Sequence, residues 1–152
     1  MSVGAVNKTD AHYAQLFGKV QNLISSKKIN IYVFDKNMDG KLSKKELQEA
    51  LTLIPNMKVS QGIVSLNEVD KNKRVVKTTR KIITGELLNT TNYEYNEKGQ
   101  KIKEICNGSY GSSVTSYGYH ENGQLKTSST KTADGKTVTL KYSDNGQFVG
   151  MQ

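Results

Sequence analysis

The stretch Tyr93-Glu-Tyr-Asn-Glu-Lys-Gly-Gln100 occurs in three related copies, and these copies decide the fold class of the chain. The second copy is Tyr117-Gly-Tyr-His-Glu-Asn-Gly-Gln124, and the third is Leu140-Lys-Tyr-Ser-Asp-Asn-Gly-Gln147. Their turn glycines recur at intervals of about 24 residues, which is self-similarity at a nearly fixed period. Such a period indicates one supersecondary unit that the chain uses several times.

The repeated unit is predicted to be a β-hairpin. A tyrosine-bearing strand leads into a four-residue turn, and glycine supplies the positive φ from which the next strand starts. The stretch Val69–Val76 has the character of a faded earlier copy. Because residues two apart in a strand point the same way, we expect four tyrosines to share one face and to pack across the strands. They are Tyr93, Tyr95, Tyr117 and Tyr119.

The copies resemble the YD-type repeat of bacterial surface and toxin-associated proteins, which reads roughly Tyr-x-Tyr-Asp-x-x-Gly-x-Leu. The resemblance extends over half of the chain, although the Asp position holds Asn96, His120 or Ser143 here. In that family the repeats build sheet scaffolds. The resemblance therefore implies an architecture, an antiparallel β-meander of repeated hairpins over residues 61–152, and no chemistry.

Residues 1–60 have a different pattern, with apolar residues at helical spacing. One stripe predicts a first helix with Thr9 as its N-cap. The stripe consists of Tyr13, Leu16, Phe17, Val20, Leu23 and Ile24. A second helix is predicted from about Ser43 to Leu53, ended by Pro55 because proline disfavours helix in the residue before it. The chain is thus predicted to be α+β, with a helical unit at 1–60 and a sheet at 61–152.

Between these helices lies the segment with a chemical signature, Asp35-Lys-Asn-Met-Asp-Gly-Lys-Leu-Ser-Lys-Lys-Glu46. Side-chain oxygens occur at its positions 1, 3, 5 and 12, with Gly40 at position 6 for a sharp turn. Position 7 would contribute a backbone carbonyl, and Ser43 at position 9 would act through a water molecule. Five residues are therefore the candidate metal ligands. They are Asp35, Asn37, Asp39, Lys41 and Glu46.

This segment and its flanks, residues 27–54, resemble the EF-hand calcium-binding family at every diagnostic position. The resemblance implies Ca²⁺ as the bound ion, with Glu46 supplying two oxygens. It also favours an incoming helix over Ile29–Phe34, although the β-branched residues there suit a strand equally well. The simpler alternative is a surface turn before a helix that Ser43 and Glu46 cap. That alternative leaves Asp35, Asn37, Asp39 and Gly40 without an explanation.

The loop has two unusual features for such a site. Four lysines surround its three carboxylates, so we expect weak binding, at about 10⁻⁶–10⁻³ M on the range of the family.

No second loop is present to pair with it, since Asp70–Arg74 begins like one but lacks the glycine and the final glutamate. We predict that Gly62–Leu66 pairs with the loop inside a monomer. The alternative is a dimer of two loops in contact through Leu42.

Composition narrows the classes of function. The net charge of +8 is spread along the chain, so nucleic acid is an unlikely partner. A basic run from Lys71 to Lys81 is interpreted as a solvated strand face. Cys106 is the sole cysteine, and no nucleophile, acid or base constellation predicts an enzyme. No apolar run predicts a membrane span, so a soluble chain of unassigned compartment is expected.

Two classes of function remain from the sequence alone. The first is a calcium-binding protein whose repeat sheet is a scaffold, or an interaction surface for a protein or glycan. The second is a basic module of β-repeats that binds polyanions or glycans, with calcium serving only its structure.

Overall fold

The computed structural model describes residues 3–109 and 111–152, with side chains from residue 11 onward. Helix α1 spans Val3–Ile24 and helix α2 spans Lys44–Leu53. Between and after them lie three short 3₁₀ segments, Ser25–Lys27, Ile31–Phe34 and Ile54–Asn56. The remaining described elements are strands.

Helix α1 begins at Val3 and therefore starts before Thr9, which is not its N-cap. The predicted apolar stripe lies on the buried side of the helix, but it is narrower than expected. Val20 and Ile24 are fully buried, whereas Tyr13 and Leu23 remain 36% and 45% exposed.

The incoming α-helix predicted over Ile29–Phe34 is wrong. Lys28 adopts a left-handed conformation with φ of 55°, which ends the preceding helical turn. Only a four-residue 3₁₀ segment follows, capped by the Asn30 side chain, which accepts a hydrogen bond from the Tyr32 N–H at 2.8 Å. Ile31 and Val33 are both buried. An α-helix would place two such residues, two positions apart, on nearly opposite sides.

Nine strands follow in the described residues, and they pair in chain order as one antiparallel meander. This result confirms the α+β class and the sheet of hairpins. The strands are β1 (Lys58–Ser60), β2 (Ile63–Val69), β3 (Val75–Ile82), β4 (Leu87–Tyr95), β5 (Lys101–Gly108), β6 (Gly111–Tyr119), β7 (Leu125–Thr132), β8 (Thr137–Tyr142) and β9 (Phe148–Met151).

The repeat turns are built alike. In the first copy Asn96 donates its N–H to the Gln100 carbonyl at 2.9 Å, and Gly99 donates to the Asn96 carbonyl at 3.0 Å. The later copies repeat both bonds, and each turn glycine has a positive φ. The strand register also shifts next to the tyrosine that precedes each turn, at Tyr95, Tyr119 and Tyr142. A register shift of this kind bends and twists the strand locally.

Contacts divide the chain into two compact units. The first comprises Met1–Glu68 and Thr79–Leu88, and the second comprises Val69–Thr78 and Asn89–Gln152. The boundary expected at residue 60 falls inside the first unit. The buried apolar side chains that the structure describes all belong to the first unit: Val20, Ile24, Ile29, Ile31, Val33, Phe34, Leu42, Leu47, Ala50, Met57, Val64 and Leu66.

The second unit has no comparable core among its described side chains. Most of its strand residues are partly exposed, and Thr78 and Thr91 are its buried polar residues at 3% and 4% exposure.

Neither described helix has the length and apolar character that crossing a membrane requires.

Candidate metal centre

Three carboxylates converge in the loop that links the 3₁₀ segment Ile31–Phe34 to helix α2. One oxygen each from Asp35, Asp39 and Glu46 lies within 4.8 Å of the other two. Asp35 and Glu46 are buried, at 5% and 7% exposure, and Asp39 is exposed. Burial of two carboxylates beside a third is unfavourable unless hydrogen bonds or cations compensate their charge.

The loop backbone wraps around these side chains. Asp35 accepts a hydrogen bond at Oδ2 from the Gly40 N–H at 2.8 Å. Asn37 accepts one from the Asp39 N–H at 3.3 Å, and Asp39 accepts one from the Lys41 N–H at 2.9 Å. Gly40 has a φ of 78°, as the sharp turn expected at this position requires.

Glu46 has two roles in this arrangement. Its Oε1 accepts the Ser43 N–H at 2.9 Å, while Ser43 Oγ accepts the Glu46 N–H at 3.0 Å, which is the predicted capping box of helix α2. Its Oε2 accepts the Lys36 N–H at 2.5 Å. Burial alone would raise the pKa of Glu46, but the hydrogen bonds from Ser43 and Lys36 outweigh burial and lower it. Glu46 is therefore held as a carboxylate that faces the loop.

One atom of the loop has no partner. Oδ1 of Asp35 is buried and accepts no hydrogen bond among the described residues. A buried polar atom without a partner costs about 1–3 kcal/mol, and more for a charged group. The donor set around it consists of oxygens alone, which suits a hard cation such as Ca²⁺ and does not suit zinc, which prefers nitrogen and sulfur.

Asp70 provides a direct contrast, because its sequence begins with the same Asp-x-Asn pattern. Its Oδ1 accepts the N–H groups of Asn72 and Arg74 at 2.8 and 3.0 Å, and its Oδ2 accepts from Arg74 Nε at 3.0 Å. These bonds, with the Arg74 backbone N–H first, lower the pKa of Asp70. Asp70 thus forms the β2–β3 turn that the sequence predicts, with both oxygens already satisfied.

Lys81 is the residue of the centre that sequence reasoning missed. It belongs to the basic run interpreted as a solvated face, yet it is only 3% exposed. Its Nζ donates to the backbone carbonyl of Asp35 at 2.9 Å. Burial lowers the pKa of Lys81, and the negative charges of Asp35 and Glu46 partly counteract that effect. The only signal in the sequence is that Lys81 directly follows Arg80. Neighbouring residues of a strand point to opposite faces, so one of these two side chains faces the packed side of β3.

The predicted pairing of the loop with Gly62–Leu66 is wrong. These residues lie largely in β2, whose two sides are taken by β1 and β3. The carbonyl of Leu42 instead accepts a hydrogen bond from the hydroxyl of Tyr13 at 2.6 Å. Leu42 is 5% exposed and packs in the core. Its side chain is therefore not a surface patch through which two loops would meet.

The tyrosines of the second unit are engaged within their own sheet. The Lys101 ammonium lies 5.0 Å from the ring centre of Tyr93 and 5.7 Å from that of Tyr117, so these two of the four tyrosines predicted to share a face do so. Burial, followed by the neighbouring Glu104, raises the pKa of Tyr117 to about 12. The hydroxyls of Tyr93 and Tyr95 donate to Thr78 Oγ1 and the Val75 carbonyl.

No family model and no curated protein matches the chain. Among solved structures, one similar chain is an S. aureus TarM mutant in complex with fondaparinux, α-GlcNAc-glycerol and UDP. The identity is 10% and the TM-score is 0.31. The match covers 79% of this chain and 24% of that chain.

Proposed function

We propose that this chain is a calcium-binding protein that uses a single loop of the EF-hand type, with the repeat sheet as a scaffold. The observation that carries the proposal is Oδ1 of Asp35, a buried carboxylate oxygen without a partner beside two further carboxylates. A bound cation would supply the compensation that this oxygen lacks. The oxygen-only donor set and the loop spacing favour Ca²⁺.

The proposed ligands follow the positions of the loop. Asp35, Asn37 and Asp39 would contribute side-chain oxygens, Lys41 its backbone carbonyl, and Glu46 its carboxylate. Lys81 offsets one of the three carboxylate charges, and the ion would supply the remaining positive charge. Ser43 contributes indirectly, because its capping box fixes Glu46 at the start of helix α2.

The capping explanation that the sequence left open does not compete with this proposal. Ser43 and Glu46 do form the box, but Asp35, Asn37 and Asp39 take no part in it. Their side chains accept the N–H groups of Asp39, Gly40 and Lys41, and a turn needs no buried carboxylate for that purpose. Asp70 achieves a comparable turn with every oxygen partnered.

Binding of a polyanion or glycan by the sheet has weaker support. The tyrosine rings that would stack on such a ligand are partly covered by Lys101 and Arg74, the latter 5.0 Å from the ring centre of Tyr95. Their hydroxyls are also used within the sheet. These contacts favour cross-strand packing, and hence a scaffold role for the repeats.

Isothermal titration of the purified chain with Ca²⁺ and with Mg²⁺ tests the proposal. Asp35→Asn is the informative variant, because it removes the charge while an oxygen remains to accept the Gly40 N–H. Calcium affinity should fall at least tenfold, since ligand charge sets affinity in such loops. Asp70→Asn is the matched control and should bind calcium as the wild type does. Equal calcium affinity in all three proteins, or no binding by the wild type, would refute the proposal.

A further inference from the structure

A buried positive charge from outside the loop lies next to it before any ion binds. Lys81 extends from β3 to the start of the loop, where its Nζ donates to the Asp35 carbonyl at 2.9 Å. Only 3% of the residue is exposed, so water screens its charge poorly. The four lysines within the loop differ from Lys81 in their exposure to water. Lys36, Lys41, Lys44 and Lys45 are all exposed.

The charge balance of the centre follows from these residues. The three converging carboxylates and the one buried ammonium leave two net negative charges. A divalent cation neutralises such a centre, whereas a trivalent cation leaves an uncompensated positive charge at a poorly solvated place. Without Lys81 the same loop would present three negative charges and would suit a trivalent ion better.

We infer that Lys81 is a built-in counter-cation of the calcium loop, which weakens cation binding and matches the centre to divalent ions. The inference rests on the proposed function, since it concerns the same loop. Lys81 acts on the ion through its charge and not as a ligand. It also partly neutralises Asp35 and Glu46 when the loop is empty, so the folded chain does not depend on calcium to bury them.

The effect of charge has a signature that a purely structural role lacks. Coulomb energy is proportional to the product of the charges, so Lys81 opposes a trivalent ion one and a half times as strongly as a divalent ion. If Lys81→Met raises Ca²⁺ affinity by about tenfold, it should raise Tb³⁺ affinity by about thirtyfold. Loss of the hydrogen bond to Asp35 would instead weaken the binding of both ions.

The experiment titrates Ca²⁺ and Tb³⁺ into the wild type, Lys81→Met and Lys36→Met. Lys36→Met removes a charge within the loop itself, but the Lys36 side chain is 61% exposed, so this variant should change either affinity by less than twofold. Lys81→Gln serves as a second variant that keeps a hydrogen-bond donor, and it should show the same ordering as Lys81→Met. A lower calcium affinity, a change no larger than that of Lys36→Met, or an equal fold-change for both ions would overturn the inference.

A measurement without any ion separates this inference from the proposed function. In chelator, a double-mutant cycle of Lys81→Met and Asp35→Asn compares the midpoints of urea unfolding. The loss of stability on Lys81→Met should be smaller in the Asp35→Asn background, because the carboxylate it compensates is gone. Additive effects would overturn the inference. If the two substitutions are coupled but the wild type binds no calcium, the contact of Lys81 with Asp35 is supported and the proposed function alone is refuted.

Discussion

Asp35 and Asp70 have the same local sequence, but their carboxylates have different environments. Asp35 and Asp70 both begin an Asp-x-Asn segment. Every carboxylate oxygen of Asp70 is used by its own turn, whereas Oδ1 of Asp35 is buried and has no partner in the described part of the chain. The difference arises because Asp35 belongs to a loop that packs on the core, while the Asp70 turn is open to water and closes with Arg74. In this pair of aspartates, burial therefore separates the candidate ligand Asp35 from the turn residue Asp70.

The Tyr13 hydroxyl donates to the Leu42 carbonyl of the loop, a position at which the sequence predicts a paired strand. Tyr13→Phe should lower the free energy of unfolding by about 1 kcal/mol, since the partly buried Leu42 carbonyl loses its hydrogen bond. Urea denaturation followed by circular dichroism measures this change. Tyr32→Phe is the control, because Tyr32 is 41% exposed and its hydroxyl has no hydrogen bond to the loop among the described residues. Equal effects of the two substitutions would show that the Tyr13 hydroxyl does not stabilise the loop.

Among the elements, the repeats were predicted well and the incoming helix was predicted wrongly, for related reasons. A hairpin turn is encoded by four or five neighbouring residues, and the turn at Asn96–Gly99 forms as those residues predict. The segment Ile29–Phe34 contains one capping residue, Asn30, which fixes where the short 3₁₀ segment starts but does not decide between helix and strand for the residues that follow. Its conformation is set by the core, which buries Ile31, Val33 and Phe34 together. Tertiary packing thus overrides a weak local preference.

The turn glycines are predicted to stabilise the hairpins through their positive φ. Gly123 has a φ of 89°, a region that β-branched residues avoid. Gly123→Val should destabilise the sheet by about 1–2 kcal/mol, whereas Gly123→Asn should cost less because asparagine tolerates this region. Urea unfolding of both variants measures the difference. The packing space is not the cause, since the nearest atom to an added Cβ is Gln100 Nε2 at 3.9 Å. Equal costs for valine and asparagine would contradict the backbone explanation.

For the whole molecule, the candidate site divides into a part that the sequence predicts and a part that it does not. The carboxylates of the loop follow from local spacing, because a twelve-residue pattern places them without reference to the rest of the chain. Lys81 and Tyr13 lie 46 and 29 residues from the loop atoms they contact. Arg80 and Lys81 point to opposite faces of β3, and nothing in the local sequence says which of the two side chains is buried. Such contacts emerge only from the tertiary fold.

The last prediction concerns how far calcium acts within the chain. The carboxylates and Lys81 all belong to the first unit, Met1–Glu68 and Thr79–Leu88. A ligand that binds the folded state alone stabilises it by about 2.7 kcal/mol at a concentration of 100 Kd, which slows exchange through opening about a hundredfold. Hydrogen exchange read by mass spectrometry should therefore show calcium-dependent protection in peptides from residues 30–54 and 79–88.

Peptides from residues 111–142 provide the internal control, because none of the candidate ligands lies in the second unit. Their exchange should be the same with calcium and with chelator. Asp35→Asn should remove the protection of the first unit and leave the second unit unchanged, which links the effect to the loop and not to ionic strength. Equal slowing of exchange in both units would contradict a local site. It would mean that calcium stabilises the chain as one cooperative unit, so that the repeat sheet responds to the ion instead of serving as a passive scaffold.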